Sequence, residues 1–336
     1  MRIMITGGTG FVGYHTATAL LKAGHELSLL VRSEDKMRRL FGDQIEHFTQ
    51  GDITDEASVA AALAGCDGVV HAAAMVSIDQ RDAQLVRDTN VGGTRQVIGG
   101  AIAAGVENII HVSSVTALYD PGAAFLNEHS PPGKASNAYG ASKVECEIYV
   151  RELQDAGAPI HITYPGSIIG PDDPALTEPH QGLKTYLNGL VPVMPSGNQW
   201  VDVRDVALAH QRLLEGTLTS GRYTLGGHFV PWTQLVDIIS AITGRKLRKV
   251  PVPASAMRGL GRLMDKVNQW RDTPIDIPVT YEAMVYATNW VRMDDSKAMD
   301  ELDLEFRPVE ESMSAAIRWL LAAGHISEQE AGILAD

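Results

Sequence analysis

Tyr139-Gly140-Ala141-Ser142-Lys143 places a phenol and an ammonium four residues apart, near the middle of a 336-residue chain. If this stretch opens a helix running to Glu152, Tyr139 and Lys143 share one face. A phenol near its reference pKa of about 10 is a poor base at neutral pH. An ammonium held beside it favours the phenolate, so Tyr139 could exchange a proton close to working pH. The plain alternative is an aromatic core residue one turn from a solvated lysine, so the chemistry depends on what surrounds the pair.

A hydroxyl cluster, Ser113-Ser114-Val115-Thr116, follows the strand-like run 108–112. Ligands of open α/β sheets bind outside the carboxyl ends of the strands. Ser114 there can donate to a developing oxyanion, with Ser113 and Thr116 as alternatives. Upstream, 2–6 reads as a strand, Gly7-Gly8-Thr9-Gly10-Phe11-Val12-Gly13 as a turn, and Phe11 to Ala23 as a helix ended by Gly24. Gly7 permits the tight turn, Gly10 lets backbone approach a pyrophosphate, and Gly13 lets helix pack on strand. The first helical amides, at Phe11, Val12 and Gly13, face the anion. The spacing is G-x-x-G-x-x-G rather than G-x-G-x-x-G.

The second strand, 26–31, delivers Arg32 and Ser33 to the adenosine ribose. An acid there would repel a 2′-phosphate, whereas a guanidinium fork suits one. NADP(H) is therefore the expected cofactor and NAD(H) the alternative. Lys36, Arg38 and Arg39 read equally as the solvated face of a surface helix. A third strand, 45–50, ends in Gly51-Asp52-Ile53; Asp52 could accept from the adenine amino group or cap the helix starting near Asp55. The fourth, 69–74, ends in small residues, and Ala72 and Ala73 let a cofactor lie against backbone. His71 within it reads as a satisfied structural histidine. A helix from Gln80 to Ala104 holds Asn90-Val91-Gly92-Gly93, where two glycines predict close packing or a distortion.

Composition narrows the class. A formal net charge of -13 argues against nucleic acid or an anionic membrane as a general partner, while leaving room for a local basic pocket. No apolar run approaches membrane-spanning length. Cys66 and Cys146 are far apart and lack metal-ligand spacing, which predicts free thiols, no metal site and a reducing, cytoplasmic compartment.

The glycine turn, Asp52, the Ala-rich fourth strand, Asn90, Ser114 and the Tyr139/Lys143 pair, in that order, resemble an extended short-chain dehydrogenase/reductase over nearly the whole chain. That resemblance implies that Tyr139 exchanges the proton, Lys143 lowers its pKa and holds the nicotinamide ribose, Ser114 steadies the substrate oxygen, and Asn90 supports a proton relay. It also implies cofactor contacts at Ile53, Pro165 and Ser167, and a homodimer through the helices near 80–104 and 138–152. Leu29-Leu30-Val31-Arg32-Ser33 and 164–171 look like the dihydroflavonol-reductase and 3β-hydroxysteroid-dehydrogenase branch. Sugar-nucleotide epimerases typically place a diphosphate-binding Asn where Ser167 stands, and often an Arg where Asn198 stands. The carboxyl-terminal third is nevertheless similar to sugar epimerases of hopanoid gene clusters.

The expected fold is therefore α/β: a Rossmann-type doubly wound parallel sheet over 1–170, and a smaller mixed substrate-binding lobe over 171–336. Segments at about 200–226 return to the sheet. Further strands are expected at 159–164, 221–226 and 246–250, and helices near 183–190 and at 204–215, 231–243 and 310–323. Residues 172–200 read as a pocket wall or a surface loop, and Arg204 and Asp205 as structural. Met257, Leu260, Leu263, Met264, Val267 and Trp270 form a helical stripe that reads as core or as the inner face of a lid. The function implied is reversible hydride transfer between NADP(H) and a small carbonyl or secondary alcohol. The alternatives are an NAD-dependent sugar-nucleotide epimerase or dehydratase, and a non-catalytic NADP-sensing regulator.

Overall fold

The computed structural model describes residues 1–77, 80–135, 137–269 and 280–335. In the first half, β1 (Arg2–Thr6), α1 (Phe11–Lys22), β2 (Glu26–Val31), α2 (Glu34–Phe41), β3 (His47–Gln50), α3 (Glu56–Leu63) and β4 (Gly68–His71) alternate regularly. Then come α4 (Ala83–Arg87), α5 (Gly93–Ala103), β5 (Asn108–Val112), α6 (Ala138–Asp155) and β6 (Ile160–Pro165). The second half adds β7 (Ser167–Ile169), α7 (Glu178–Leu187), β8 (Leu190–Val193), β9 (Gly197–Asp202), α8 (Val203–Glu215) and β10 (Gly221–Leu225). It continues with β11 (His228–Pro231), α9 (Trp232–Thr243), β12 (Arg248–Pro251), α10 (Ala254–Gln269), α11 (Tyr281–Thr288), α12 (Ser296–Glu301), α13 (Val309–Ala322) and α14 (Glu328–Ala331).

Seven strands form one sheet in the order β10-β6-β5-β4-β1-β2-β3, and every neighbouring pair is parallel. Parallel strands covered on both faces read as continuous apolar runs, which is why β1, β2 and β5 are buried almost throughout. One apolar core lies under α1, α2 and α8, around Leu20, Met37 and Leu213. The opposite core lies under α3, α5 and α6, around Val59, Val97 and Val150. The order reverses between β1 and β4, which opens a crevice at their carboxyl ends. A three-stranded sheet (β11-β9-β7) and the parallel ribbon of β8 and β12 build the smaller second layer. With α7, α9 and α13 they enclose a third core around Trp200, Trp232 and Leu320.

Several expectations shift. The helix expected from Gln80 to Ala104 is interrupted: α4 passes through a π-helical turn at Asp88–Gly92 before α5. A Cβ on Gly93 would lie 2.4 Å from Ile53 Cδ1, so the helix packs directly on this side chain, which would have to shift to admit a larger residue. The extra residue per turn accommodates that approach, and such bulges gather at functional sites. Between 172 and 200, read as a wall or loop, α7 starts at Glu178 and Leu190 opens a strand rather than ending a helix. Gly189, at φ +98°, makes the break. Strands β7, β9 and β11 were not anticipated, because each is short and paired with a distant segment. The α10 stripe is not core: Met257 and Met264 are half-buried, but Leu260 and Leu263 are 44% and 58% exposed. Trp270 lies outside the described residues.

Candidate active site

The glycine turn joins β1 to α1 at the reversal point. Gly7 holds φ +71°, and a Cβ there would lie 2.6 Å from Ala73 N and 2.7 Å from Ala72 C. The turn therefore lies directly on the backbone that follows β4, and the small residues there are a packing requirement. Ala72 N and Ala73 N donate back to Thr6, on its carbonyl and hydroxyl. A Cβ on Gly13 would sit 2.1 Å from Gly7 O, so this glycine seats α1 on its own turn rather than on the strand. A Cβ on Gly10 would meet only Gly7 O, at 3.3 Å, so its other side is open. Gly10 caps α1 without a side-chain acceptor, leaving the amides of Phe11, Val12 and Gly13 without carbonyls a turn behind them. This is a cradle for an anion, and its shape fits the pyrophosphate of a dinucleotide.

Arg32 leaves the end of β2 beside that cradle. It is exposed, and among the described residues its guanidinium has no acid partner. Its basic neighbours divide. Arg38 is tied to Glu34 and lies over Phe48, while Ser33 caps α2 by accepting from Lys36 N. Asp52 accepts from both Thr54 N and Thr54 Oγ1, and Asp55 caps α3. The local role weighed for Asp52 is thus a tight turn rather than the helix cap. Ile53 is buried against Gly93, and Pro165 is buried at the end of β6.

The other four candidates converge at the ends of β4 and β5. Tyr139 and Lys143 stand one turn apart on α6, with Lys143 Nζ 6.0 Å from the Tyr139 ring centre. Lys143 is 6% exposed and donates to Val112 O at 3.1 Å, which pins it two residues before Ser114. Among the described residues the Tyr139 hydroxyl has no hydrogen-bond partner, and the side chain is half-buried. Ser114 Oγ accepts from Thr116 N and from Thr116 Oγ1, leaving its own proton to donate. Ser113 is withdrawn from the cleft: it is buried and donates to Glu147. Geometry thus sets Ser113 apart from Ser114 and Thr116, which sequence could not. Asn90, 2% exposed, accepts from Met75 N and donates to Met75 O and Ser142 Oγ. Its side chain holds the segment after β4 against α6, one residue from Lys143.

Two histidines and a cysteine buried behind the site stay neutral. His71 bonds Thr6 and Thr94, and burial, reinforced by Lys143, pushes its imidazole down to about 3. It is the satisfied structural histidine its strand position suggested. Burial likewise drives His111 well below the usual range and raises the Cys146 thiol.

Three features had no sequence signal. Glu147, wholly buried one turn beyond Lys143, accepts from Ser113 Oγ, Arg151 Nε and Tyr164 OH, and so ties α6 to β5 and β6. Burial and the adjacent carboxylate push the Tyr164 phenol well up. Asp173 and His180 form a buried pair whose imidazole also bonds Gly170 O, while Phe11 packs edge-on against the His180 ring. This seats the segment after Gly170 on the first turn of α1. Finally, Ser167 and Asn198 bond each other in both directions, at 3.0 and 2.8 Å. The pair ties the β7 wall to the β9 wall, and Asn198 Oδ1 also accepts from Gln199 N.

Comparison with known proteins agrees with this architecture. The family model described as "NAD dependent epimerase/dehydratase family" matches residues 3–226. The chain is 30% identical to a putative dihydroflavonol 4-reductase of Synechocystis sp. over 97% of this chain and 96% of that one. It is 27% identical to sterol demethylase protein B of Methylococcus capsulatus, covering 97% and 100%. The solved UDP-glucose 4-epimerase of Thermotoga maritima superposes with a TM-score of 0.75 at 21% identity, covering 96% and 99%, a likeness of fold.

Proposed function

The chain belongs to the NAD dependent epimerase/dehydratase family, whose members bind a nicotinamide dinucleotide, and within it we propose an NADP(H)-dependent reductase of ketones or aldehydes, reversible as a secondary-alcohol dehydrogenase. The observation that carries the reading is Lys143, buried against the Tyr139 ring and fixed to Val112 O at the mouth of the crevice. That arrangement sets an ammonium and a phenol side by side where the crevice opens, the pairing that an acid-base step on a substrate oxygen needs. Residues 1–170 would hold the cofactor, with the pyrophosphate on the amides of Phe11 to Gly13 and the 2′-phosphate at Arg32. Residues 171–336 would mostly shape the substrate, apart from α8, which packs beside α1, and β10, which completes the sheet.

When bound, the nicotinamide supplies or accepts the hydride. Ser114 Oγ and the Tyr139 hydroxyl donate to the substrate oxygen, and in the reductive direction Tyr139 delivers its proton there. Lys143 stabilises the resulting phenolate and is oriented by Val112 O. Asn90 positions α6 through Ser142 and keeps the segment after β4 in place.

Ser167 and Asn198 favour a reductase over a sugar-nucleotide enzyme, because neutral side chains bonded to each other offer a diphosphate no charge. The similarity to a putative dihydroflavonol 4-reductase points the same way, towards a ring ketone. Absorbance of NADPH and of NADH should be followed with dihydroflavonols, ketosteroids, diketones and aromatic aldehydes. NADPH consumption is expected with at least one of them, and Tyr139→Phe should lower turnover on the order of a hundred-fold or more while leaving NADPH binding intact. Full turnover in that variant refutes the scheme. NAD retained through purification without consumption would instead indicate an epimerase or dehydratase. The exposed Leu85 and Ile148, on the outer side of α4 and α6, suit pairing of two copies there, which sedimentation would test.

A further inference from the structure

Helix α10 turns only part of its apolar stripe towards the protein. Gly261 is buried and lies so close to α11 that a Cβ would meet Thr280 O at 2.7 Å. Met257, Met264 and Val267 are half-buried, while Leu260 and Leu263 stand in solvent with Arg262 and Lys266 following around the exposed side. The ribbon that leads into α10 repeats the pattern. Every residue of β12 is exposed, Val250 by 42%, and Leu190, paired in register with Arg248, is 57% exposed.

The charge here opposes that of the molecule. In a chain of net charge -13, the only acid between Gly244 and Val267 is Asp265, and its carboxylate accepts from Tyr281 N. Lys249 pairs with Asp237, and Arg262 lies 4.5 Å over the Tyr281 ring. Among the described residues Lys246, Arg248, Arg258 and Lys266 have no carboxylate partner. Exposed leucines bordered by unpaired bases on a short amphipathic helix are the makeup of an element that lies in a bilayer interface. There the apolar edge enters the acyl boundary and the bases meet lipid phosphates.

We propose that α10, with the β8 and β12 ribbon, docks the protein reversibly on an anionic lipid surface. With a net charge of -13 the molecule as a whole is repelled by such a surface, so this face, apolar as well as basic, is the one that docks. The attraction is short-ranged and falls with salt. Helix α11, on which α10 packs, places the Tyr286 ring 4.3 Å from Tyr119 in the segment that follows Ser114. Docking would thus bring the substrate lobe, one helix removed from the site, to the membrane.

The test is independent of any turnover: flotation of the full chain with phosphatidylcholine vesicles and with vesicles that also contain phosphatidylglycerol. Capture is expected only by the second, with loss in high salt. Lys246→Glu and Arg248→Glu should each weaken it by about five-fold or more. Leu260→Ser combined with Leu263→Ser should weaken it by at least about ten-fold. All four positions are exposed, so thermal unfolding should be unchanged and serves as the control. Absence of capture, equal capture by both vesicles, or capture indifferent to these substitutions overturns the proposal. So does self-association without vesicles that the leucine changes abolish, since that would assign the face to a second copy.

Discussion

Replacing Glu147 by Gln should expose how α6 is held. The carboxylate has no solvent contact and accepts from Arg151 Nε at 2.5 Å, Tyr164 OH at 2.6 Å and Ser113 Oγ at 2.8 Å. A neutral amide has one accepting oxygen and presents an N–H₂ group to donors. It leaves the mostly buried Arg151 without a counter-charge. Breaking a buried ion pair from one side costs about 3–5 kcal/mol. For 336 residues, an unfolding entropy of about 2.1 cal/mol/K per residue gives ~0.7 kcal/mol/K, so the melting temperature should fall by about 4 to 7 °C. Circular dichroism melts near neutral pH measure this directly. Glu147→Leu with Arg151→Met should recover part of the loss, because the ionic desolvation cost disappears along with the attraction, while the buried Ser113 and Tyr164 hydroxyls still lose their acceptor. A drop of less than about 1 °C in Glu147→Gln, or a double variant that loses as much as the two single changes together, would refute the argument.

Acid should weaken the fold through its buried imidazoles. His71 and His210 are held at about 3, against an ordinary 6.5, chiefly by burial. The unfolded chain therefore takes up protons first: their contribution is complete above about pH 6.5 and is lost as pH falls towards 3. Two such groups give a slope of about 2.7 kcal/mol per pH unit in the middle of that window, and an unchanged denaturant midpoint between about pH 6 and pH 5 would contradict it. Gly13→Ala pushes a methyl into Gly7 O at 2.1 Å, where only backbone can yield. NADPH affinity, followed by nicotinamide fluorescence, should drop by about ten- to a hundred-fold, and wild-type affinity would mean the turn is not the cradle. Arg32→Ala should weaken NADPH by a similar factor while sparing NADH, since a charge-assisted hydrogen bond is worth about 1.5–3 kcal/mol; equal losses would remove Arg32 from phosphate recognition.

The amino-acid sequence by itself determined the alternation of buried strands with amphipathic helices, because apolar periodicity and glycine punctuation act within a few residues. It determined the glycine turn for the same reason, and it brought Tyr139 and Lys143 onto one helix face through a spacing of four. It also marked Gly92-Gly93 as a place of distortion. Pairings between distant segments were decided only by the tertiary structure. Glu147 and Arg151 read locally as an ordinary solvated helix pair; β5 and β6, closing over them with Ser113 and Tyr164, make the pair buried. The withdrawal of Ser113 from the cleft follows from that same closure. Ser167 and Asn198, 31 residues apart, become partners only when β7 aligns with β9. On α10 the reverse holds: the stripe reads as core or as the inner face of a lid, and with α11 packed against Gly261, Leu260 and Leu263 face outward. Periodicity shows that a helix has an apolar side, but which part of that side is covered depends on elements far away along the chain.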